Sequence, residues 1–491
     1  MSLSAFLDRQ RIVAPPNFSR WRVPPAALSI HLAIGQVYAF SVFNEPLAQA
    51  IGIDHHAAGD WELTTLGWIY SVAIVFLGLS AAVFGKWLER VGPRQAMLAS
   101  ACCFGGGFLI SALGVWLHQI VLLYLGYGVL GGIGLGLGYI SPVSTLIKWF
   151  PDRPGMATGL AIMGFGGGAM IGAPLGVALM AYFRSSTSTG IVETFLVMGL
   201  GYFVFMLFGA LSVRLPPPGW QPAGYVPASR PQKLVTSASV SADEAILTPQ
   251  FYLLWAILFL NVTAGIGVLG QASLMIREVF PGVTVAAAGG FVGLLSLFNM
   301  GGRIFWSSLS DSIGRKPTYM VFFLLGGTLY ALIPLTGQLG SIVLFVAGCS
   351  LILSMYGGGF ATIPAYLRDL FGTMQVGAIH GRLLTAWSVA GIAGPVLVNY
   401  IRDYQIEHGV SRASAYNITM YIMAGLLVLG AVCNFLVRPV HARHHYREPA
   451  ENPAAGAGQD VPGAFPAAAS GSPNGEPGVA APPRPKGESR G

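Results

Sequence analysis

The sequence predicts an all-α integral membrane protein, with twelve transmembrane helices in two pseudo-symmetric six-helix bundles around a central cavity. Three observations predict it. The 491 residues are 54% hydrophobic and only 10% charged, against about 25% charge in an ordinary soluble domain. The apolar residues fall in separate runs of about 20 or more, the length that crosses about 30 Å of hydrocarbon as a helix. The two halves of the chain also echo one another at a nearly constant offset. Alternating ten-residue strand patterns are absent, which argues against a β-barrel.

The twelve segments are placed near 24–50, 62–85, 94–116, 119–147, 154–183, 191–213, 249–277, 285–308, 317–336, 340–367, 380–402 and 416–438. They divide the chain into an N-terminal segment 1–23, a first bundle 24–213, a linker 214–247, a second bundle 248–440 and a tail 441–491. The N-terminal segment is basic (Arg9, Arg11, Arg20, Arg22), contains Pro15-Pro16 and shows no short apolar core with a cleavage site, so no signal peptide is expected. The linker opens Arg214-Leu215-Pro216-Pro217-Pro218. The tail is rich in Pro, Gly, Ala and Ser, a composition that builds no core and predicts disorder.

Charge fixes the expected orientation. With the N-terminus in the cytoplasm, only Arg184, Arg277, Arg402 and Arg412 fall in outer loops and Arg303 falls within a segment, leaving 22 of the 27 Lys and Arg inside. That bias places both ends in the cytoplasm of a cell (inner or plasma) membrane. It also accounts for the net charge of +7 without nucleic acid. The cysteines Cys102, Cys103, Cys349 and Cys433 all lie in apolar runs and read as small core residues, with neither a disulfide framework nor metal spacing.

The internal repeat has two parts. Glu89 and Gly92 after segment two recur as Asp311 and Gly314 after segment eight, an offset of 222; Phe150 and Pro174 recur as Phe371 and Pro395, an offset of 221. The first of these stretches carries a loop signature, roughly G-x-x-x-[DE]-R-x-G-x-[KR], at Gly85, Glu89, Arg90, Gly92 and Arg94. With it the chain resembles the major facilitator superfamily over about residues 24–440. The second copy is partial: Asp311, Gly314, Arg315 and Lys316 match, while Ser307 and Ser312 replace the Gly and Arg.

A narrower resemblance is to the oxalate/formate antiporter and monocarboxylate transporter branch, carried by Gly35-Gln36-Val37-Tyr38-Ala39-Phe40-Ser41-Val42-Phe43, by Trp149-Phe150-Pro151-Asp152-Arg153-Pro154-Gly155 and by Asn299-Met300-Gly301-Gly302-Arg303. That branch implies two rocking bundles, small carboxylates as substrates and a membrane-embedded arginine that grips them, here Arg303. It carries a lysine at the position aligned with Trp387. The departure leaves one cavity cation, which suits a monocarboxylate such as formate, lactate or pyruvate better than divalent oxalate.

The residues support that expectation independently. Arg303 stands eight residues before Asp311, about 12 Å up the helix, where a charge costs at least about 2.5–3.5 kcal/mol. It must face a cavity or a partner, and no carboxylate is placed at that depth; snorkelling would demand a long reach. A guanidinium fork meets two carboxylate oxygens at once. Asn299, one turn earlier, is either a second ligand or a helix–helix contact. Gln36, Tyr38, Tyr139, Gln271 and Tyr356 are candidate cavity-lining residues, and for each single one interhelical packing is the commoner role; Trp387 is a further candidate for the substrate site. His31 is a candidate proton carrier, an interfacial histidine being the blander reading.

Two glycine-rich stretches, Gly131-Gly132-Ile133-Gly134-Leu135-Gly136-Leu137-Gly138 and Gly164/Gly168/Gly172, allow close helix approach and follow no strand, so they bind no nucleotide. In the loop signature, Glu89 with Arg90 or Arg94, and Asp311 with Arg315 or Lys316, are expected to bridge the halves or hold helix N-termini as a gate. No P-loop, H-E-x-x-H or G-x-S-x-G occurs, which disfavours a primary pump or a membrane enzyme. The expected protein is a monomeric secondary transporter of small organic anions, by exchange or with protons, without cofactor or metal, in contact with lipid. A drug or metabolite exporter and a transporter-fold receptor are the alternatives.

Overall fold

Twelve long helices follow from where the chain places its starts and stops. The computed structural model describes residues 7–225, 234–236 and 238–446. The helices are α1 (Arg20–Leu47), α2 (Leu63–Val91), α3 (Pro93–Trp116), α4 (Ile120–Trp149), α5 (Pro154–Phe183) and α6 (Ile191–Ser212). After the linker come α7 (Pro249–Val279), α8 (Val285–Ile313), α9 (Arg315–Gln338), α10 (Ile342–Phe371), α11 (Val376–Glu407) and α12 (Asn417–Leu436). Proline opens α3, α5 and α7, where its missing N–H costs nothing. Thr248, Thr284 and Ser341 cap α7, α8 and α10 by accepting from backbone amides. Eleven of the helices, among the described residues, are long and apolar enough to cross a membrane. The twelfth, α8, is equally long and carries Arg303 and Asp311.

Several ends differ from those that hydropathy predicts. The apolar runs end segment two at 85 and segment eight at 308, yet α2 runs to Val91 and α8 to Ile313. Hydropathy reports where lipid ends, whereas a helix continues into water until something stops it. Here Gly92 (φ 86°) and Gly314 (φ 91°) stop it, adopting a conformation that side chains other than glycine resist. The acidic residues of the loop signature therefore sit on last helical turns. Three helices are irregular. The middle of α1 is 3₁₀ from Gly35 to Phe43, α4 contains a π stretch from Tyr124 to Gly131, and α11 breaks at Leu384.

The packing repeats with a shift of six helices. In the first half α1 packs on α5, α2 on α4 and α3 on α6; in the second α7 packs on α11, α8 on α10 and α9 on α12. Two seams join the halves, α2 against α11 and α8 against α5. Both seams are tight toward the end of the molecule where the described residues begin and end. There α5 is buried almost continuously from Pro154 to Gly168, but beyond it only Gly172, Gly176 and Met180 stay buried. On α8 a Cβ added to either of the outer glycines Gly289 and Gly293 would meet nothing within 4 Å, and the same holds for Gly67 on α2. The halves thus part toward the far end.

The segments outside the helices pack at the termini end. Val13 pairs with Leu215, with Leu215 N donating to the Ile12 carbonyl at 2.8 Å and Ala14 N to the Leu215 carbonyl at 2.9 Å. Tyr446 N donates to the Ser239 carbonyl at 2.7 Å. The expected disordered tail beyond 446 lies outside the described residues, as do linker residues 226–233 and 237. All four cysteines are free, but of them only Cys349 is buried in the core; Cys103 and Cys433 are half-buried and Cys102 is exposed, because an apolar run that can face lipid need not be buried inside the protein.

Candidate functional site

The depth arithmetic for Arg303 puts it midway along α8, and the structure seats it in the seam with α5. It is wholly buried. Its Nε donates to Asn299 Oδ1 at 3.1 Å and its Nη1 to the Ile162 carbonyl of α5 at 3.1 Å. Its charge also faces the rings of Phe165 and Phe360, at 5.8 and 5.5 Å. Among the described residues no carboxylate pairs with it, and Nη2 has no partner. Gly159 and Gly166 of α5 make this approach possible, since a Cβ on either would collide with Arg303 or its backbone.

Around the guanidinium lies an aromatic cluster drawn from both halves. Trp387 of α11 touches Phe360, Phe165, Tyr139 and Tyr38, with centroids 4.5, 5.2, 5.3 and 6.3 Å away. Tyr139 of α4 also touches His31 of α1 at 5.4 Å and His380 of α11 at 5.8 Å. The Tyr38 hydroxyl meets that of Tyr356 at 3.2 Å, linking α1 to α10. Trp387, Tyr139 and both histidines are buried.

The cluster holds several polar atoms without partners. Arg303 Nη2, Trp387 Nε1, Tyr139 OH, His31 Nε2 and both ring nitrogens of His380 make no hydrogen bond. The other ring nitrogen of His31, Nδ1, donates to the Ala27 carbonyl at 3.3 Å. Each such group costs about 1–3 kcal/mol when buried unmet, so their convergence marks a place built to bind something polar.

The sequence-selected residues separate into two groups. Arg303, Asn299, Trp387, Tyr38, Tyr139, Tyr356 and His31 come together here. Asn299 holds Arg303 rather than facing outward. Gln36 and Gln271 do not join. Gln36 is buried inside the first half, where its Oε1 accepts from Tyr127 OH at 2.9 Å, because it follows the start of the 3₁₀ stretch and turns toward α4. Gln271 is half-buried on α7 and takes part in none of these contacts. The sequence reading misses His380. It sits at the predicted edge of segment eleven beside Arg382, where a histidine reads as part of a basic loop; only the inward N-terminal turns of α11 place it inside.

At the termini end two carboxylates close the seams. Asp311, at the end of α8, accepts from the amides of Gly155 and Met156, the first turn of α5, at 2.8 Å each. It also accepts from Arg315 Nη2 at 2.6 Å. Arg315 Nε reaches Asp369 at 3.0 Å, and Arg368 joins Asp369 at 3.1 Å and the Pro151 carbonyl at 3.3 Å. In the pseudo-symmetric position Glu89, at the end of α2, accepts from the Gly377 amide of α11 at 3.1 Å and from Lys148 at 2.9 Å. Each carboxylate thus caps a helix of the opposite half, where the helix dipole favours negative charge. The cation on Glu89 is Lys148 of α4, contributed by a neighbouring helix. Arg90 is exposed, Arg94 donates to the Leu211 carbonyl at 3.3 Å, and Lys316 binds the carbonyls of Phe435 and Val437. Gly85 packs against the Ala378 backbone with no room for a side chain. A further bridge uses the linker: Asp243 accepts from Lys86 of α2 and from Arg382 of α11, the latter at 2.7 Å.

Twelve helices in two six-helix halves, cross-capped by the two loop signatures, define a transporter fold rather than an enzyme. The family model of the Major Facilitator Superfamily matches residues 26–395, and the chain belongs to that family of membrane transporters. It is 27% identical over 372 residues to the oxalate:formate antiporter of Oxalobacter formigenes, covering 75% of this chain and 81% of that protein. It is 24% identical over 423 residues to monocarboxylate transporter 11 of Homo sapiens, covering 83% and 80%. The solved structure of the proton:xylose symporter XylE shares the fold, with a TM-score of 0.64 at 13% identity over 84% of this chain and 94% of that one.

Proposed function

We propose that this transporter carries small organic anions bearing a carboxylate, gripped by Arg303, through alternating access in a cell membrane with both termini in the cytoplasm. The observation that carries the reading is a buried guanidinium with no carboxylate partner among the described residues and an uncommitted Nη2. A carboxylate satisfies that charge and that donor together, and Trp387 Nε1 and Tyr139 OH are further unpaired donors beside it. The names of the two sequence relatives point the same way.

One fixed cation favours a monoanion such as formate, lactate or pyruvate at neutral pH. Between turnovers Arg303 rests on two neutral oxygens and two rings, which keeps the charge tolerable but leaves the anion the better partner. Access alternates as the cytoplasmic caps at Glu89 and Asp311 release and the far end closes. The deciding experiment is counterflow of labelled mono- and dicarboxylates in liposomes, for the wild type and Arg303→Gln. The wild type should exchange at least one small carboxylate and the variant should lose about tenfold or more of that rate, the value of one charge-assisted contact. Undiminished exchange by Arg303→Gln, or none of any carboxylate by the wild type, would defeat the proposal.

A further inference from the structure

Trp387 adds no charge to the site, but His380, two turns earlier on α11, touches the same Tyr139. We propose that His380 supplies the anion site with a second, proton-controlled positive charge, which sets whether a singly or a doubly charged carboxylate is preferred. The inference rests on the carboxylate reading above.

Neutral imidazoles in protein interiors normally give at least their N–H to an acceptor. His380 is buried with neither ring nitrogen engaged. His31 differs, since its Nδ1 is already spent on Ala27. Both rings flank Tyr139, whose own ring touches Phe165, the ring that the Arg303 guanidinium faces.

The charged surroundings leave His380 open to this role. From α4 it packs against Tyr139, which also touches His31 of α1, and Arg303 of α8 lies beyond Phe165. One turn toward the termini, Glu89 of α2 is taken by Lys148 and the Gly377 amide. On α10 the pair Arg368–Asp369 is turned to Arg315 and Pro151. Arg382 of α11 itself is turned to Asp243.

With His380 neutral, a dianion would leave one charge uncompensated in a low-dielectric site, whereas a monoanion is matched by Arg303 alone. A proton on His380 reverses the balance. By linkage the dianion in turn draws that proton in.

The test is counterflow of labelled oxalate and labelled lactate by the full chain in liposomes, with the same pH on both sides, at about 5.5 and about 7.5, so that a proton drawn in by the bound dianion registers as a pH-dependent ratio. Both anions keep their charge over that range. One linked proton changes a binding ratio by up to about tenfold per pH unit. The oxalate-to-lactate ratio of the wild type should therefore rise about tenfold or more on acidification, and in His380→Gln it should be flat. The same ratio read as thermal stabilisation of purified protein by each anion needs no turnover, so a slow variant still reports, and His380→Asn serves if the glutamine variant does not assemble. A flat wild-type ratio, or a rise that survives in His380→Gln, overturns the proposal. So does a rise lost only in His31→Gln. If no small carboxylate is carried or bound, the carboxylate reading itself falls; if another carboxylate is carried while oxalate and lactate are both ignored, or lactate is carried with a pH-independent ratio, only the role of His380 does.

Discussion

Arg303 is a cation kept in place by uncharged neighbours. Asn299 Oδ1, one turn away, occupies its Nε, so the identity of that one atom decides how much of the charge is left for a ligand. Asn299→Asp would set a carboxylate there and neutralise the guanidinium internally. We expect the apparent affinity for the transported anion to fall by about tenfold or more at neutral pH and to recover in part as acid protonates the new carboxyl. Equilibrium binding at two pH values checks this; unchanged affinity would mean that the anion does not use Arg303. Arg303 is legible from sequence because its distance to Asp311 can be counted along one uninterrupted helix. His380 is not, because its depth depends on how far α11 extends past the apolar stretch, and Arg382 beside it signals water. Gln36 misleads for a related reason: a 3₁₀ stretch rotates side chains away from the face a regular helix would give them.

The caps belong to the scale of whole helices, since each carboxylate holds two backbone amides or a whole helix end rather than a single side chain. Asp311→Asn removes the charge from the contacts to Gly155, Met156 and Arg315, weakening charge-assisted bonds worth roughly 1.5–3 kcal/mol. Because these contacts exist only while the seam is shut, the variant should turn over more slowly while its KM changes little. A large rise in KM at normal turnover in a liposome uptake assay would contradict a gating role. The linker bridge responds to acid. Hydrogen bonds from Lys86, and then from Arg382, hold the Asp243 carboxyl below the ordinary carboxylate range. A depressed carboxyl contributes stability above its unfolded value and loses it as pH falls through the folded one. Asp243→Asn should thus lower the Tm slightly, by about a degree, at pH 7, with the difference closing below about pH 4. A difference that persists in acid would assign it to something other than this pair. The helices themselves are legible from hydropathy; their ends are not, because Gly92 and Gly314 stop α2 and α8 for backbone reasons that hydropathy does not weigh.

At the scale of the molecule, the offset of 222 between Glu89 and Asp311 is enough to see two halves, and the packing shifted by six helices is its spatial counterpart. What one chain could not tell is which end is shut, since the same sequence must visit both states. Here the seams are closed at the end that carries Glu89 and Asp311 and apart at the other end. In a background without native cysteines, Gly289→Cys and Gly67→Cys should react with an impermeant thiol reagent added outside the cell, and Ser307→Cys, wholly buried against α5, should not. The reverse pattern would mean that the opposite state prevails in the membrane. The two seams also differ in kind. Asp311 with Arg315 and Asp369 at the α8–α5 seam and Glu89 with Lys148 at the α2–α11 seam are largely shielded, whereas the linker bridge that only the α2–α11 seam carries, Lys86 to Asp243, is open to solvent. Dissolved ions weaken exposed pairs over about 8 Å at physiological strength and barely reach sheltered ones. Brine on that side of the membrane would therefore loosen the linker's extra tie and spare both sheltered caps, making the stroke of this carrier more lopsided in salt than in dilute surroundings.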